Sequence, residues 1–326
     1  MELNVEPLGR SIEVEPGSNL LDVLRSENIP ISYSCTAGRC GICRCKLVEG
    51  HVLLSVSDLR QPLISGQAEI LACQTLLTSP CRIELPELDE VIVHPAKVLK
   101  GTIFSIEDQT HDIKKILIKT NKELEFSPGQ YATLQFTPEH IRPYSMANIR
   151  GDDMLEFHIR LVPRGRTSSY ISESLQKGSQ VRVSGPFGTS YLRSKYTGPM
   201  LCVAGGTGLA PILSIVHGAL ALGMKNEIHL YFGVRTENDI YYRDKLEQIS
   251  QKYPQLYVNI VVSQGAVSSG LRKGLLTEAI AEDFPSLSGF RAYLCGAPPM
   301  VEATNLLIKG KGVSPEHIYA DAFYAS

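Results

Sequence analysis

The chain has 326 residues, 43% of them hydrophobic and 20% charged, with a formal net charge of −2. That length holds two or three domains, the composition is that of an ordinary soluble globular protein, and the near-neutral balance gives no reason to expect nucleic acid or a membrane surface as partner. The opening Met-Glu-Leu-Asn-Val-Glu is not a signal peptide and no apolar run reaches about 18 residues, so a cytoplasmic chain with reduced thiols is expected.

Residues 3–14 alternate around Gly9 (Leu3, Val5, then Ile12, Val14) and read as a β-hairpin, after which Ser18 is expected to cap a short helix with Leu20, Leu21 and Leu24 on one face. Next come Cys35, Cys40 and Cys43, spaced C-x4-C-x2-C, with Cys73 further on. This matches the plant-type [2Fe-2S] ligand pattern, in which three thiolates come from one tightly wrapped loop. Gly38 and Gly41 suit such a loop, because a residue without Cβ takes positive φ and lets backbone N–H groups approach sulfur. A zinc site and a disulfide framework are the competing readings. Zinc usually takes a second close Cys or His pair, whereas only His51 lies between Cys35 and the solitary Cys73; a disulfide scaffold belongs to short secreted chains. Cys45 and Cys81 fall outside the pattern and read as small buried thiols, Cys45 as the next inward position of a strand over Lys46 to Leu54. Leu71 to Gln74 reads as a turn or strand end.

Glu84 to Pro95 carries two prolines and four acids and reads as a linker. From Ala96 to about Gly198 the pattern is all-β, with strands expected over Lys97–Ile106, Lys115–Thr120, Gln130–Phe136, Leu155–Val162 and Gln180–Ser184, a small antiparallel barrel. Its one helix, Ser168 to Gln176, opens on Thr167, Ser168 and Ser169 and offers free N–H groups to an anion. Beyond Met200 the rhythm becomes strand, turn, helix: strands Met200–Ala204, Ile228–Val234, Leu256–Val262, Ala292–Cys295 and Glu316–Ala320, helices Leu209–Leu222 (Pro211 in its first turn), Asn238–Gln251 and one from about Pro299. Such alternation predicts a doubly wound parallel sheet with its ligand site at the carboxyl ends of the strands.

Gly205-Gly-Thr-Gly-Leu-Ala-Pro211 sits where a strand turns into a helix, so its backbone can approach a pyrophosphate at the helix N-terminus, and Cys295 to Met300 ends a strand facing the same crevice. Arg142-Pro-Tyr-Ser145 follows a barrel strand; Arg suits a phosphate, Tyr a flat ring and Ser a ring nitrogen. Taken singly, the glycine turn and the tetrapeptide are also compatible with purely structural turns.

Together with Ser32-Tyr-Ser-Cys35, Leu71-Ala-Cys-Gln74, Phe126 to Phe136, Arg142 to Ala147, Tyr293-Leu-Cys-Gly296 and the ending Tyr319 to Tyr324, these motifs resemble the ferredoxin–NADP reductase superfamily over essentially the whole chain. Within it the resemblance is to oxygenase reductases with an N-terminal ferredoxin domain, as in ring-hydroxylating dioxygenase systems of the naphthalene type. The resemblance implies a β-grasp ferredoxin domain at 1–88, a linker at 89–96, an antiparallel β-barrel FAD domain at 97–198 and a doubly wound NAD(P)H domain at 199–326. Arg142 would hold the flavin pyrophosphate, Tyr144 (beside Pro143) would pack on the isoalloxazine, Ser145 would reach toward N5, and Gly165, Thr167 and Ser168 would meet phosphate. Phe323 would cover the other flavin face until nicotinamide displaces it. Gly205, Gly206, Thr207 and Gly208 would cradle the dinucleotide, with Cys295, Gly296 and Met300 near the nicotinamide, and Ser145, Cys295 and Phe323 would be the catalytic residues. Arg235, Glu237 and Asp239 sit where ribose selectivity is decided, Glu237 or Asp239 accepting from a 2′-OH and Arg235 tolerating a 2′-phosphate; NADH is expected to be preferred and NADPH usable. The implied activity is electron transfer from NAD(P)H through FAD and the [2Fe-2S] cluster to a small Rieske-type ferredoxin or to a terminal oxygenase, by a monomer. Arg39 and Arg44 flank the cluster ligands and suit an acidic partner or are solvated loop charges. Reductases of deoxysugar biosynthesis or of two-component oxygenases share the domain order; a non-catalytic zinc-binding adaptor is the alternative from another class.

Overall fold

The computed structural model describes residues 1–29, 31, 33, 38, 43–56, 59–64, 68–85, 92 and 94–324. Two compact units emerge, Met1–Val91 and Ile92–Ser326.

In the first unit, β1 (Glu2–Glu6) and β2 (Arg10–Glu13) form the expected hairpin, Leu3 opposite Ile12. Helix α1 (Leu20–Ser26) buries Leu20, Leu21 and Leu24, but Asn19 rather than Ser18 is its cap: Asn19 Oδ1 accepts from the N–H groups of Leu21 (3.0 Å) and Asp22 (3.3 Å). The single strand expected over 46–54 is two, β3 (Arg44–Glu49) and β4 (His51–Val56), which enter different sheets. Gly50 divides them at φ +102°, where a Cβ would lie 2.5 Å from Pro80 O and from Cys81 Cβ. Then follow β5 (Leu59–Ile64), β6 (Ala68–Leu71), a 3₁₀ turn at Ala72–Gln74, β7 (Thr75–Leu77) and β8 (Cys81–Glu84). The main sheet runs β2-β1-β8-β3-β6, with β1 parallel to β8, and a smaller sheet runs β5-β4-β7. Helix and main sheet share one core of Leu3, Val5, Leu20, Leu24, Leu47 and Ile83, the β-grasp arrangement. Cys45 occupies an inward position of β3, as its alternation with Arg44 and Lys46 predicts.

The second unit opens with an antiparallel sheet of β9 (Lys97–Asp108), β10 (Ile113–Thr120), β11 (Tyr131–Thr137), β12 (His140–Ser145), β13 (Leu155–Arg160) and β14 (Gln180–Phe187), in the order β12-β11-β14-β9-β10-β13. A bridge between Met146 and Phe157 brings the two edges together, so the sheet is a nearly closed barrel. Arg142 to Ser145 is strand β12 rather than a turn after a strand. Pro143 can be there because β12 is an edge, where a missing N–H breaks no ladder on its outer side. Helix α2 spans Arg166–Glu173, two residues earlier than expected, with Gly165 at its N-cap.

The remainder is a six-stranded parallel sheet: β15 (Met200–Gly205), α3 (Leu209–Ala221), β16 (Ile228–Val234), α4 (Arg243–Lys252), β17 (Leu256–Val262), β18 (Arg272–Lys273), α5 (Leu276–Asp283), β19 (Arg291–Gly296), α6 (Pro298–Gly310) and β20 (Ile318–Ala322). The helix expected over 238–251 starts only at Arg243. Thr236 and Asp239 first close a 3₁₀ turn on each other, and Tyr242 then takes φ +63°, which no right-handed helix accommodates. The last strand starts at Ile318, after a Pro315–His317 turn. The order β18-β17-β16-β15-β19-β20 reverses between β15 and β19, which is the switch point where ligands of such sheets sit. Barrel and sheet are joined through α3: Ser214 Oγ donates to Asn148 O (2.6 Å) and accepts from Gly129 N–H (3.2 Å).

Candidate functional site

At the switch point the chain leaves β15 through a 3₁₀ turn, Gly206–Gly208, and enters the 13-residue α3 with no side chain on its N-terminal N–H groups. Those groups and the helix dipole make a cradle for an anion. Gly208 and Gly296 are required sterically, because a Cβ at either would meet backbone, whereas one at Gly205 would displace only a side-chain tip. A Cβ on Gly208 would lie 2.1 Å from Cys295 O, one on Gly296 (φ +143°) 2.8 Å from Gly205 O, and one on Gly205 2.8 Å from Met300 Cε. Gly205, Gly206, Thr207, Gly208, Gly296 and Met300 therefore form one close-packed turn pair, as the motifs predict. Cys295 belongs to that pair only through its backbone; its thiol is 0% exposed, and burial, with Asp321 and Cys202 nearby, pushes its pKa well up.

The barrel meets this crevice from the other side. On β12, Arg142 and Pro143 are exposed, Tyr144 is half-buried with its hydroxyl pushed up to about 12 by burial, and Ser145 is 8% exposed. An exposed edge strand carrying a cation and an aromatic fits the flavin, and the N-terminus of α2, uncapped by any side chain at Gly165, fits its phosphates. Thr167 is buried there, and Ser168 Oγ accepts from Val162 N–H (2.9 Å), which leaves its own hydrogen to donate. Phe323, 37% exposed just past β20, is anchored by its N–H to Gly296 O (2.9 Å).

Four features of this crevice escape motif reading. Asp321, opposite Cys295 in the β19–β20 register, is pushed up to about 6 by burial, partly countered by a hydrogen bond from Ser145. Its one sequence signal is an acid inside an otherwise apolar terminal strand. Arg160 lies over the glycine turn, its Nη2 3.0 Å from where a Gly206 Cβ would be, and is held by Asp112 (3.2 Å). Beneath it, the fully buried His158 shares Nε2 with Glu156 Oε1 (2.8 Å) and Nδ1 with the Tyr241 hydroxyl (3.2 Å), itself 3.4 Å from Gly206 O. Burial raises the Glu156 carboxyl, but hydrogen bonds from His158 and Tyr242 prevail and hold it at about 2.

Beyond β16 and β17 an open hollow of about 380 Å³ is lined by Thr236, Glu237, Asn238 and residues 264–268. Glu237 is at its rim, accepting from Ser268 Oγ (2.8 Å) and Ser268 N–H. Asp239 does not line it: its Oδ2 takes Thr236 N–H (2.8 Å) and Oγ1 (2.9 Å), and its Oδ1 faces His111. Arg235 is exposed and contributes a carbonyl to Gln264 N–H (2.7 Å).

In the first unit, Cys43 and Cys73 come together: Cys73 N–H points at Cys43 Sγ (3.5 Å), and Ala72 N–H donates to Cys43 O (2.8 Å). An N–H donated to sulfur fits a cluster thiolate. Cys35, Cys40 and Arg39 lie outside the described residues. Gly38 takes φ +76°, the conformation its place in the loop predicts. Cys45 and Cys81 are pushed up to about 12 and about 11, in both chiefly by burial, which suits bystander thiols. Arg44 pairs with Glu69 at 2.8 Å, which neutralises half of the basic flank expected beside the ligands.

Three family descriptions match successive parts of the chain: the 2Fe-2S iron-sulfur cluster binding domain at 3–78, the oxidoreductase FAD-binding domain at 100–191 and the oxidoreductase NAD-binding domain at 202–305. The ferredoxin–NAD(P)+ reductase component of the naphthalene 1,2-dioxygenase/salicylate 5-hydroxylase systems of a Ralstonia species is 56% identical, over 100% of this chain and 99% of that protein. The corresponding component of the naphthalene 1,2-dioxygenase system of Pseudomonas putida is 53% identical over 99% of each. Among solved structures, a cytochrome P450 reductase of Amycolatopsis superposes with a TM-score of 0.75 at 31% identity, covering 99% of this chain and 98% of that one. No helix among the described residues is long and apolar enough to cross a membrane.

Proposed function

This chain belongs to the ferredoxin–NAD(P)+ reductases of oxygenase systems, flavin- and iron–sulfur-containing oxidoreductases, and from that premise we propose that it is the reductase component of a multicomponent aromatic-ring dioxygenase, delivering electrons to a separate Rieske-type ferredoxin. The non-catalytic zinc adaptor is set aside by the FAD- and NAD-binding domains. Flavin supplies the conversion of a two-electron donor into one-electron steps, and the chain's own residues orient the two partners. One observation carries the reading: Ser145 of β12 hydrogen-bonds Asp321 opposite Cys295, the Gly205–Gly208 turn packs on the Cys295 carbonyl, and Phe323 is tied to Gly296, so barrel and sheet meet at the switch point. There Arg142 and the open end of α2 take the flavin phosphates, the glycine turn takes the dinucleotide, and Phe323 shields the ring face that nicotinamide must reach. The cluster ligands are Cys35, Cys40, Cys43 and Cys73. A shared carrier is favoured over direct delivery because the Ralstonia relative is named for two oxygenase systems, and one ferredoxin surface serves two oxygenases more simply than two do. Purified protein should show flavin and iron–sulfur absorbance and reduce cytochrome c with NADH as a monomer of 35.8 kDa; protein lacking either chromophore overturns the proposal.

NADH is the preferred coenzyme and NADPH is usable. Glu237 is the carboxylate at the rim of the adenosine-side hollow, placed to accept from a ribose 2′-OH and to repel a 2′-phosphate, while exposed Arg235 offers partial compensation. Arg235→Ala should raise KM for NADPH and leave KM for NADH unchanged in steady-state assays. Absolute dependence on NADPH refutes the assignment.

A further inference from the structure

We propose that Gln74 is a positioning residue for the iron–sulfur centre, its side-chain amide donating to the sulfur of Cys73 and thereby setting the potential of the one-electron outlet. The proposal rests on Cys73 being a cluster ligand. Gln74 closes the 3₁₀ turn that carries Cys73, and its Nε2 lies 3.7 Å from Cys73 Sγ and 3.3 Å from Cys73 O. An NH₂ group has two hydrogens, one for each acceptor. The reversed amide would face Oε1 against two acceptors, so chemistry fixes its orientation.

The stem of the side chain is held as firmly as its head. It crosses Gly38, in the ligand loop between Cys35 and Cys40, so closely that a Cβ there would lie 2.7 Å from Gln74 Cγ and 2.9 Å from Cδ. The absence of a side chain at Gly38 is what lets Gln74 lie across it. The Cys73 carbonyl is served a second time by Asn19 Nδ2 (3.0 Å), the residue whose Oδ1 caps α1. The helix cap and the amide of Gln74 thus grip the same ligand residue from two elements, and of these two it is Gln74 that reaches its sulfur. Reduction places an extra negative charge on the cluster and its thiolates. An N–H dipole aimed at one sulfur stabilises that state more than the oxidised one and raises the potential.

The test is an EPR-monitored redox titration of the full-length holoprotein. Gln74→Met keeps the stem and removes both donors; Gln74→Glu sets a carboxylate in the same place. Gln74→Met should shift the one-electron equilibrium against reduction by about tenfold, ~59 mV, and Gln74→Glu by more. The flavin midpoint, the NADH–ferricyanide rate and the iron content should not change. Side chains that only pack would leave the cluster midpoint in place. Wild-type midpoints in both variants at full iron content overturn the proposal, as does loss of iron from both, which would make Gln74 a scaffold residue alone. A wild-type protein without iron defeats the ligand assignment instead, a different outcome from either.

Discussion

The unit ending at Val91 and the unit beginning at Ile92 secure their cofactors by different means. In the first, the proposed ligand set is a property of side chains, three of them within nine consecutive residues, and the surrounding glycines only make room. In the second, most of the proposed dinucleotide cradle is backbone: amide groups of a turn, a helix end, and carbonyls that leave no space for a Cβ. Ser145 and Asp321, which meet there, come from the barrel and from the last strand of that unit. Chemistry carried by side chains is lost by removing atoms, and chemistry carried by backbone is lost by adding them. Substitutions of the two kinds should therefore fail differently.

The largest effect is expected at the first unit's ligands. Changes in the second coordination shell of a metal centre alone cost 10–100-fold, so Cys73→Ser, which removes a proposed thiolate ligand, should lower cytochrome c reduction by roughly 100-fold or more. The flavin site lies in the other unit, so the NADH–ferricyanide rate should survive within about twofold. Parallel loss of both activities, measured on protein of known flavin content, would mean that the two units do not keep their cofactors independently.

Gly208→Ala is the matching test in the second unit. Its methyl would sit 2.1 Å from Cys295 O, 2.5 Å from Cys295 C and 2.8 Å from Gly296 N, all backbone atoms that no side-chain rotation can move aside. The two turns must part, at a cost of about 3 kcal/mol by the upper range for overpacked sites. KM for NADH should rise while bound FAD and the cluster spectrum stay as they were. An unchanged KM would show that the turn pair is not the dinucleotide cradle.

What could be read in advance follows the same division. The hairpin, the strands Ile228–Val234 and Leu256–Val262 and the leucine face of α1 are marked by local periodicity, and each occurs where that periodicity places it. Strand His140–Ser145 is hidden from such reading because an exposed edge strand needs no apolar alternation and Pro143 argues against it. The helix over 238–251 is interrupted at Tyr242 by a left-handed residue with no glycine to announce it. Asp239 sits beside Glu237 in sequence, yet one caps Thr236 and the other rims the hollow, a difference decided by turn geometry. Asn19, Arg160 and Asp321 act through contacts between residues far apart in the chain, which no local spacing records, and Gln74, although it adjoins Cys73, is placed by packing over the distant Gly38.

Asp321 provides the mildest test, and its sign can be worked out. Burial raises its carboxyl from 3.8 to about 6 in the folded protein, so folding favours the protonated form. Below the unfolded value the group adds no penalty. As pH rises through 6 the folded chain must ionise a largely desolvated carboxyl that still keeps intermediate exposure, so stability falls by less than the roughly 3 kcal/mol that the full shift would give at about 1.4 kcal/mol per tenfold change in proton affinity. Asp321→Asn keeps the shape and still accepts from Ser145 but never ionises. Its melting temperature should equal that of the unchanged protein near pH 4 and exceed it by several degrees at pH 8, where the cysteine and glycine substitutions above leave the pH dependence as it is. If the two proteins melt together at pH 8, the carboxyl of Asp321 is reached by water, and the end of β20 is more open than the crevice between barrel and sheet requires.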